Sequence, residues 1–343
     1  SRRRHRGTGI GLSVIPWQQH LKQAITSADE LLEAVGIEPA SVPERDRAPG
    51  FPMRVPRPFV SRMQPGNLQD PLLRQVLSDQ AEWQVAPGFV PDPLKEHQSM
   101  LPGVLHKYGS RVLLVFRGGC AVNCRYCFRR HYPYDEGTLK TRDLRAVVEY
   151  LSRETDVNEV ILSGGDPLMA DDDSLATAFS ALASVPTIRR LRIHSRLPVV
   201  IPDRVTDKLC RMIADTPLPV VMVMHINHAQ EIDAAVTDSV RALRKVCRSM
   251  LNQAVILKGI NDTVDAQVDL SEALFASDID PYYLNVLDPV AGASHFYLSD
   301  DSVQTLYQGM LNRLPGYLVP KLVREVPGVG HKVPLIQARV VPC

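Results

Sequence analysis

RVLLVFRGGCAVNCRYCFRRH, residues 111–131, decides how the rest of the chain is read. Its first six residues form a short apolar run of the kind found in buried strands. Cys120, Cys124 and Cys127 follow directly, in the spacing C-x3-C-x2-C, and then Arg129 and His131. In α/β barrels the chemistry sits on loops at the C-terminal ends of the strands, so the position of these thiols matters as much as their number. Three thiols cannot all pair as disulfides and are one short of a tetrahedral zinc cage. Spacing alone leaves three readings open. A zinc site could take His131 as its fourth ligand, although structural zinc sites usually draw ligands in pairs from two separated loops. A four-iron cluster on three thiolates would leave one iron open to chemistry. The cysteines could also simply be packing residues.

Working outward, short β-rich runs alternate with amphipathic helical stretches. RVLLVF (111–116) precedes a helix around 141–152, and VNEVILS (157–163) one around 173–183. IRRLRIH (188–194) precedes VTDKLCRMIA, and PVVMVMHI (219–226) precedes a helix through 230–247. LNQAVILKG (251–259) leads to DAQVDLSEALFAS, and PYYLNVL (281–287) to SVQTLYQGMLNRL. Strands apolar throughout, such as PVVMVMHI, are those covered on both faces of a parallel sheet. The pattern predicts an α/β fold, a partial (βα)6 TIM-like barrel over 106–314. Before it, 15–105 reads as a helical region. PWQQHLKQAIT and SADELLEAVG form two short helices, with Ser27 as N-cap and Gly36 as stop, and DPLLRQVLSDQAEW is a further helical patch. Six of the 27 prolines fall within 37–60, which predicts loop there. Residues 1–14, with the basic SRRRHRG, read as a disordered or appended tail, and 315–343 as a C-terminal segment rich in glycine and proline.

A net charge of +1 supplies no field favouring nucleic acid or a membrane surface, and 45% apolar residues suffice for a large core. No apolar run reaches the roughly 18 residues of a membrane span. Cys210, Cys247 and Cys343 are scattered, without a disulfide framework, so a reducing, cytoplasmic setting is expected.

Several further stretches complete the picture: SGGDPL (163–168), RIHSRLPVVIP (192–202), HINHAQE (225–231), LNQAVILKGIND (251–262), PYYLNVLD (281–288) and GYLVPKLVREVPGVGHKVPL (316–335). With the cysteine motif they resemble the radical S-adenosylmethionine (SAM) superfamily and, within it, the lysine 2,3-aminomutase family, over roughly residues 50–340. The resemblance implies a [4Fe-4S] cluster on Cys120, Cys124 and Cys127, with S-adenosyl-L-methionine chelating the fourth iron. It places Ser163, Gly164, Gly165 and Asp166, together with Ser195, Arg196, His225, Asn252 and Gln253, around that cofactor. Read from the residues alone, the glycine pair permits φ > 0 and close approach, and Asp166 is an ordinary turn cap.

The resemblance further implies pyridoxal 5′-phosphate (PLP) on Lys332, the amine that forms its Schiff base. Lys107, Tyr108 and Arg111 would hold its phosphate. By default Lys332 is a loop charge, and the other three are polar residues flanking a strand. Arg129 would clamp the carboxylate of L-lysine, while Asp288 and Glu325 would grip its ε-ammonium. Glu325 stands where the family has aspartate, one methylene shorter, so the substrate pose could differ. The implied reaction makes a 5′-deoxyadenosyl radical, abstracts hydrogen from C3 and moves nitrogen from C2 to C3, given an external electron donor. The match is strongest to the subgroup that makes (R)-β-lysine for elongation factor P and its lysyl ligase. The alternative is a catabolic or osmolyte enzyme making (S)-β-lysine. Catabolic members carry a cysteine-rich C-terminal extension that binds zinc; no such cluster occurs here, so no zinc is expected.

Overall fold

A computed structural model describes residues 16–43, 51–97, 99 and 101–335. The expected tail (1–14), Cys343 and the end of the C-terminal segment lie outside the described residues. α1 (Trp17–Lys22) and α2 (Ala28–Ala34) open the chain; Ser27 caps α2 by accepting the Glu30 N–H, and Gly36, at φ +73°, ends it. A single helical turn, α3 (Arg57–Val60), follows. DPLLRQVLSDQAEW does not form the expected continuous helix but two 3₁₀ turns, Leu73–Gln75 and Gln80–Trp83. The cause is local: Asp70 accepts the N–H groups of Leu72 and Leu73, and Asp79 that of Ala81, so short acidic side chains cap turns that a longer helix would run through.

β1 (Val104–Tyr108) forms an antiparallel hairpin with β2 (Arg111–Arg117). From β2 the chain passes α4 (Tyr134–Gly137) and α5 (Leu144–Arg153) to β3 (Glu159–Gly164), then α6 (Asp172–Ala183) to β4 (Arg190–Ser195). α7 (Leu197–Val200) and α8 (Asp207–Asp215) lead to β5 (Val220–Met224), and α9 (Ala234–Arg244) to β6 (Ser249–Val255). α10 (Val264–Ala276) leads to β7 (Asp280–Asn285), and α11 (Asp300–Arg313) to β8 (Lys321–Arg324). β9 (Val333–Pro334) turns back antiparallel on β8. The strands lie in chain order from β1 to β9, all parallel from β2 to β8, and the sheet keeps two edges.

The six strand–helix units are those read from the pattern, and the fold is the α/β architecture of an open, TIM-like barrel. The difference is β8. The sixth helix delivers a seventh parallel strand, KLVR, four residues long between Pro320 and Glu325, too short to give a periodic signal. β3 is buried along its whole length, as a strand with helices on one side and barrel interior on the other must be. One continuous core runs from Trp17 and Leu31 through Val160 and Leu162 to Met310 and Leu322. Each fully buried aliphatic side chain contributes about 1.5–3 kcal/mol relative to exposure. A smaller cluster, Leu257, Ile260, Leu287, Val290 and Phe296, supports Tyr126 and Phe128 of the cysteine loop.

Candidate active site

The C-terminal ends of the parallel strands enclose one cavity. It is lined by Cys120, Cys124, Cys127, Arg129, Ser163, Gly164, Gly165, Asp166, Ser195, Arg196, His225, Gln253, Asp288, Glu325 and Lys332, and by Lys107, Tyr108 and Arg111 from the β1–β2 hairpin. Of the residues expected at the site, Asn252 is the exception. It pairs through its amide with both the N–H and the carbonyl of Ile226, tying β6 to the end of β5. His131, the alternative zinc ligand, turns to the Ala291 carbonyl at 3.0 Å and does not line the cavity.

The cysteine loop is fixed from below. Gly165 N–H donates to Arg117 O at 2.7 Å and Asp166 N–H to Gly119 O at 2.9 Å, clasping the loop's root to the end of β3. This contact explains the glycine pair. Gly164 adopts φ +108°, and a Cβ on Gly165 would lie 2.5 Å from Gly119 O. The Asp166 carboxylate is taken up by the protein itself, accepting from Leu168 N, Ser195 Oγ, Arg196 N and Leu197 N between 2.7 and 3.0 Å. Its cap role therefore stands, and it joins the ends of β3 and β4. Arg196 donates through Nη1 to Cys124 Sγ at 2.7 Å and to Tyr126 Oη at 2.8 Å, and through Nη2 to Gln75 and Glu231.

Three observations bear on which groups this cavity suits. First, burial pushes the Cys127 thiol up to about 11 and the Cys120 thiol well above its ordinary value, with the neighbouring thiols adding to the shift. Soft ligands gathered out of water in this way are relieved by a cationic metal centre. Among the described residues no three His, Cys, Asp or Glu are arranged to hold a single ion. Second, the buried His194 Nε2 has no hydrogen-bond partner. Gln253 Nε2 contacts both His194 Nδ1 and His225 Nε2, and burial depresses both imidazoles, His225 to about 3, so both are neutral. Third, Lys332 Nζ donates to Asn285 Oδ1 at 2.9 Å and lies 3.2 Å from Glu325 Oε2, with Tyr283 beneath it. Tyr108 Oη donates to the other Glu325 oxygen at 2.5 Å, and the Arg111 guanidinium stacks on the Tyr108 ring. A soft thiol trio, a buried unpartnered nitrogen and a lysine beside cations fit a cluster, a polar cofactor and an aldehyde with an anionic arm.

Sequence reasoning missed several residues of the cavity wall, His194, Tyr283, Asn285 and Glu96 among them. Glu96, 3% exposed, bridges Arg129, at 2.6 and 3.1 Å, and Lys107, at 2.5 Å. Burial opposes its charge, but the two cations more than offset that and hold its carboxyl below the usual range. No motif marks it, since it stands in a loop, PDPLKEH, far from both partners in sequence.

Three thiols on the loop after the first parallel strand, clasped by a double glycine after the second in an open parallel barrel, define a radical SAM protein. The family model for the Radical SAM superfamily matches residues 114–271. The chain is 47% identical over 321 residues to an L-lysine 2,3-aminomutase of Escherichia coli (strain K12), covering 93% of this chain and 94% of that one. It is 45% identical to an L-lysine 2,3-aminomutase of Haemophilus influenzae, covering 92% and 94%. A solved radical SAM methyltransferase from Sphaerobacter thermophilus is similar over 64% of this chain and 68% of that chain, at 16% identity and a TM-score of 0.47. This chain belongs to the lysine 2,3-aminomutase family.

Proposed function

We propose that the protein converts L-lysine to (R)-β-lysine, and that this product serves the modification of elongation factor P through a separate lysyl ligase. It is an isomerase, a radical SAM lysine 2,3-aminomutase, by kinship with relatives of 45–47% identity over nearly their whole length. The observation that carries the site reading is the convergence on one cavity of the thiols, Lys332 and the polar residues from seven strand ends. Bound here, a [4Fe-4S] cluster with S-adenosylmethionine would supply a hydrogen-abstracting radical, and PLP would supply the unsaturated bond to nitrogen that a radical 1,2 shift needs.

The protein's own part is binding, orientation and exclusion of water. Cys120, Cys124 and Cys127 would hold the cluster, and its electron would come from an external donor. Ser163, Gly164, Gly165, Ser195, His225 and Gln253 present hydrogen-bonding groups to S-adenosylmethionine, with Asp166 fixing the loop that carries them. Lys332 is the amine for the PLP carbonyl, and Lys107, Tyr108 and Arg111 surround its phosphate. Arg129 offers a planar guanidinium to the substrate carboxylate, held charged because Glu96 outweighs the effect of burial. Asp288 and Glu325, which line the same cavity, are the carboxylates for the ε-ammonium. The five described cysteines are all free thiols, in keeping with a reducing cytoplasmic setting. Among the described residues no helix is long and apolar enough to cross a membrane.

The test is an anaerobic assay of L-lysine with iron-reconstituted protein, S-adenosylmethionine, PLP and reductant, resolving the enantiomers of β-lysine. (R)-β-lysine is the expected product. The (S) enantiomer would move the protein to the catabolic or osmolyte role, and no β-lysine at all would sink the proposal.

A further inference from the structure

The cavity uses two cations for two different ligands, and a single buried carboxylate joins them. Glu96 Oε2 accepts from Arg129 Nε at 2.6 Å, while Oε1 accepts both from Arg129 Nη2 at 3.1 Å and from Lys107 Nζ at 2.5 Å. The backbone is bent to place it there. Lys95, a non-glycine residue, takes φ +54°, and Asp92 accepts the N–H groups of Glu96 and His97 at 2.8 and 3.0 Å. Arg129 Nη1 is directed to Ser163 Oγ and the Gly164 carbonyl at 3.2 and 3.4 Å. With Nε and one N–H of Nη2 committed to Glu96 and Nη1 to Ser163 and Gly164, the guanidinium is fixed in plane on the cavity wall, four of its five N–H groups taken.

We infer that Glu96 is a positioning residue that couples the two anion subsites, aiming Arg129 at the substrate carboxylate and Lys107 at the cofactor phosphate. The inference rests on the assignment of those two ligands made above. Its physical content lies in the shared oxygen. A phosphate that shares the Lys107 ammonium with Oε1 loosens that oxygen's hold on Lys107 and turns it further to Arg129, so filling the cofactor subsite tightens the carboxylate clamp while Glu96 keeps Lys107 in place. By linkage, a bound carboxylate tightens the cofactor subsite by the same factor. Net charge makes the opposite prediction to positioning. Removing a carboxylate beside two anion-binding cations strengthens their field and should tighten anion binding. Loss of aim weakens it.

Glu96→Gln separates the two. PLP affinity is measured by absorbance titration of the full, iron-reconstituted chain, with borohydride trapping and peptide mapping at Lys332. L-lysine affinity is read from the change in the bound cofactor's spectrum, without S-adenosylmethionine or reductant, so that no turnover occurs. The expected result is a loss of about tenfold in both affinities, on the scale of one charge-assisted contact. Unchanged or tighter binding of both ligands, or loss of only one, overturns the inference while leaving the site reading intact. If the unaltered protein takes up no PLP at Lys332, the site reading fails and the inference falls with it. Should Glu96→Gln not fold, Glu96→Asp keeps the charge on a shorter arm. It is expected to lose about threefold in each affinity, and no change in either overturns the coupling.

Discussion

The cysteine loop and the Lys332 segment face each other across one cavity, but the protein holds them in opposite ways. The cysteine loop is anchored from beneath by groups that take no part in its chemistry. Arg54 donates to Cys120 O, Asn123 N–H to Arg54 O, and Arg125 N–H to Gln75 O. Glu82 pairs with both Arg125 and Arg130, and the Glu82 and Arg125 side chains are each only 1% exposed. Lys332, by contrast, precedes the two-residue β9 at the sheet edge, and its amine is held by Asn285 and Glu325, residues of the cavity itself. The difference follows from the chemistry. A cluster needs ligands that stay in place, whereas a lysine that must give up and regain its bond to a cofactor needs partners that can let go.

The sharpest way to break this comparison is Lys332→Ala. β-Lysine formation is expected to fall at least 10⁴-fold, about 5.5 kcal/mol in barrier at 1.36 kcal/mol per decade. The melting temperature should stay within about 2 °C, because a partly exposed amine at a sheet edge contributes little to stability. A large drop in melting temperature would mean that the lysine segment is anchored like the cysteine loop. Glu82→Ala should do the reverse. It leaves two buried guanidiniums unpaired, so a loss of about 3–5 kcal/mol in urea unfolding is expected, with fewer irons retained per chain. Normal iron content in a destabilised variant would show that the anchor serves the fold but not the cluster. Glu325→Asp shortens the carboxylate arm by one methylene. Here Glu325 spans Tyr108 and Lys332, and the shorter arm cannot keep both contacts. A rise of about tenfold in the KM for L-lysine, larger than the loss in kcat, is expected from steady-state kinetics.

What the sequence made legible follows the same division. The cysteine motif, the strand–helix alternation and the SGGD clasp are local patterns, and the structure carries them with element ends shifted by up to four residues. The resemblance drew Lys332, Asp288 and Glu325 to the same site, though nothing in their local sequence did. Glu96 escaped because its role consists of two contacts to residues 11 and 33 positions away, made by a loop without periodicity. β8 escaped because four residues are too few to show alternation. The 3₁₀ turns at 73–75 and 80–83 replaced a helix because Asp70 and Asp79 compete for backbone amides, an effect that apolar spacing does not register.

The finest test of the comparison concerns pH, and it concerns Asp288. Burial pushes its carboxyl up to about 7 from an ordinary 3.8, with Lys332 pulling it down and Glu325 pushing it further up. Between pH 4 and 7 the folded protein holds a proton on Asp288 that the unfolded chain has released, so this group's contribution to stability falls as pH rises through that window and stays lost above it. Asp288→Asn removes the titration. The variant should melt a few degrees above the parent at pH 8, where the parent buries an ionised carboxylate, and near the parent at pH 5. Binding should show the opposite trend. Only the ionised carboxylate pairs with an ε-ammonium, so the parent's affinity for L-lysine should weaken as pH falls from 8 to 6, while that of Asp288→Asn is weaker throughout and flat. A stability gain at pH 8 together with a flat, weakened affinity would mark Asp288 as a residue of the lysine side, kept strained in the free protein for the ligand it receives.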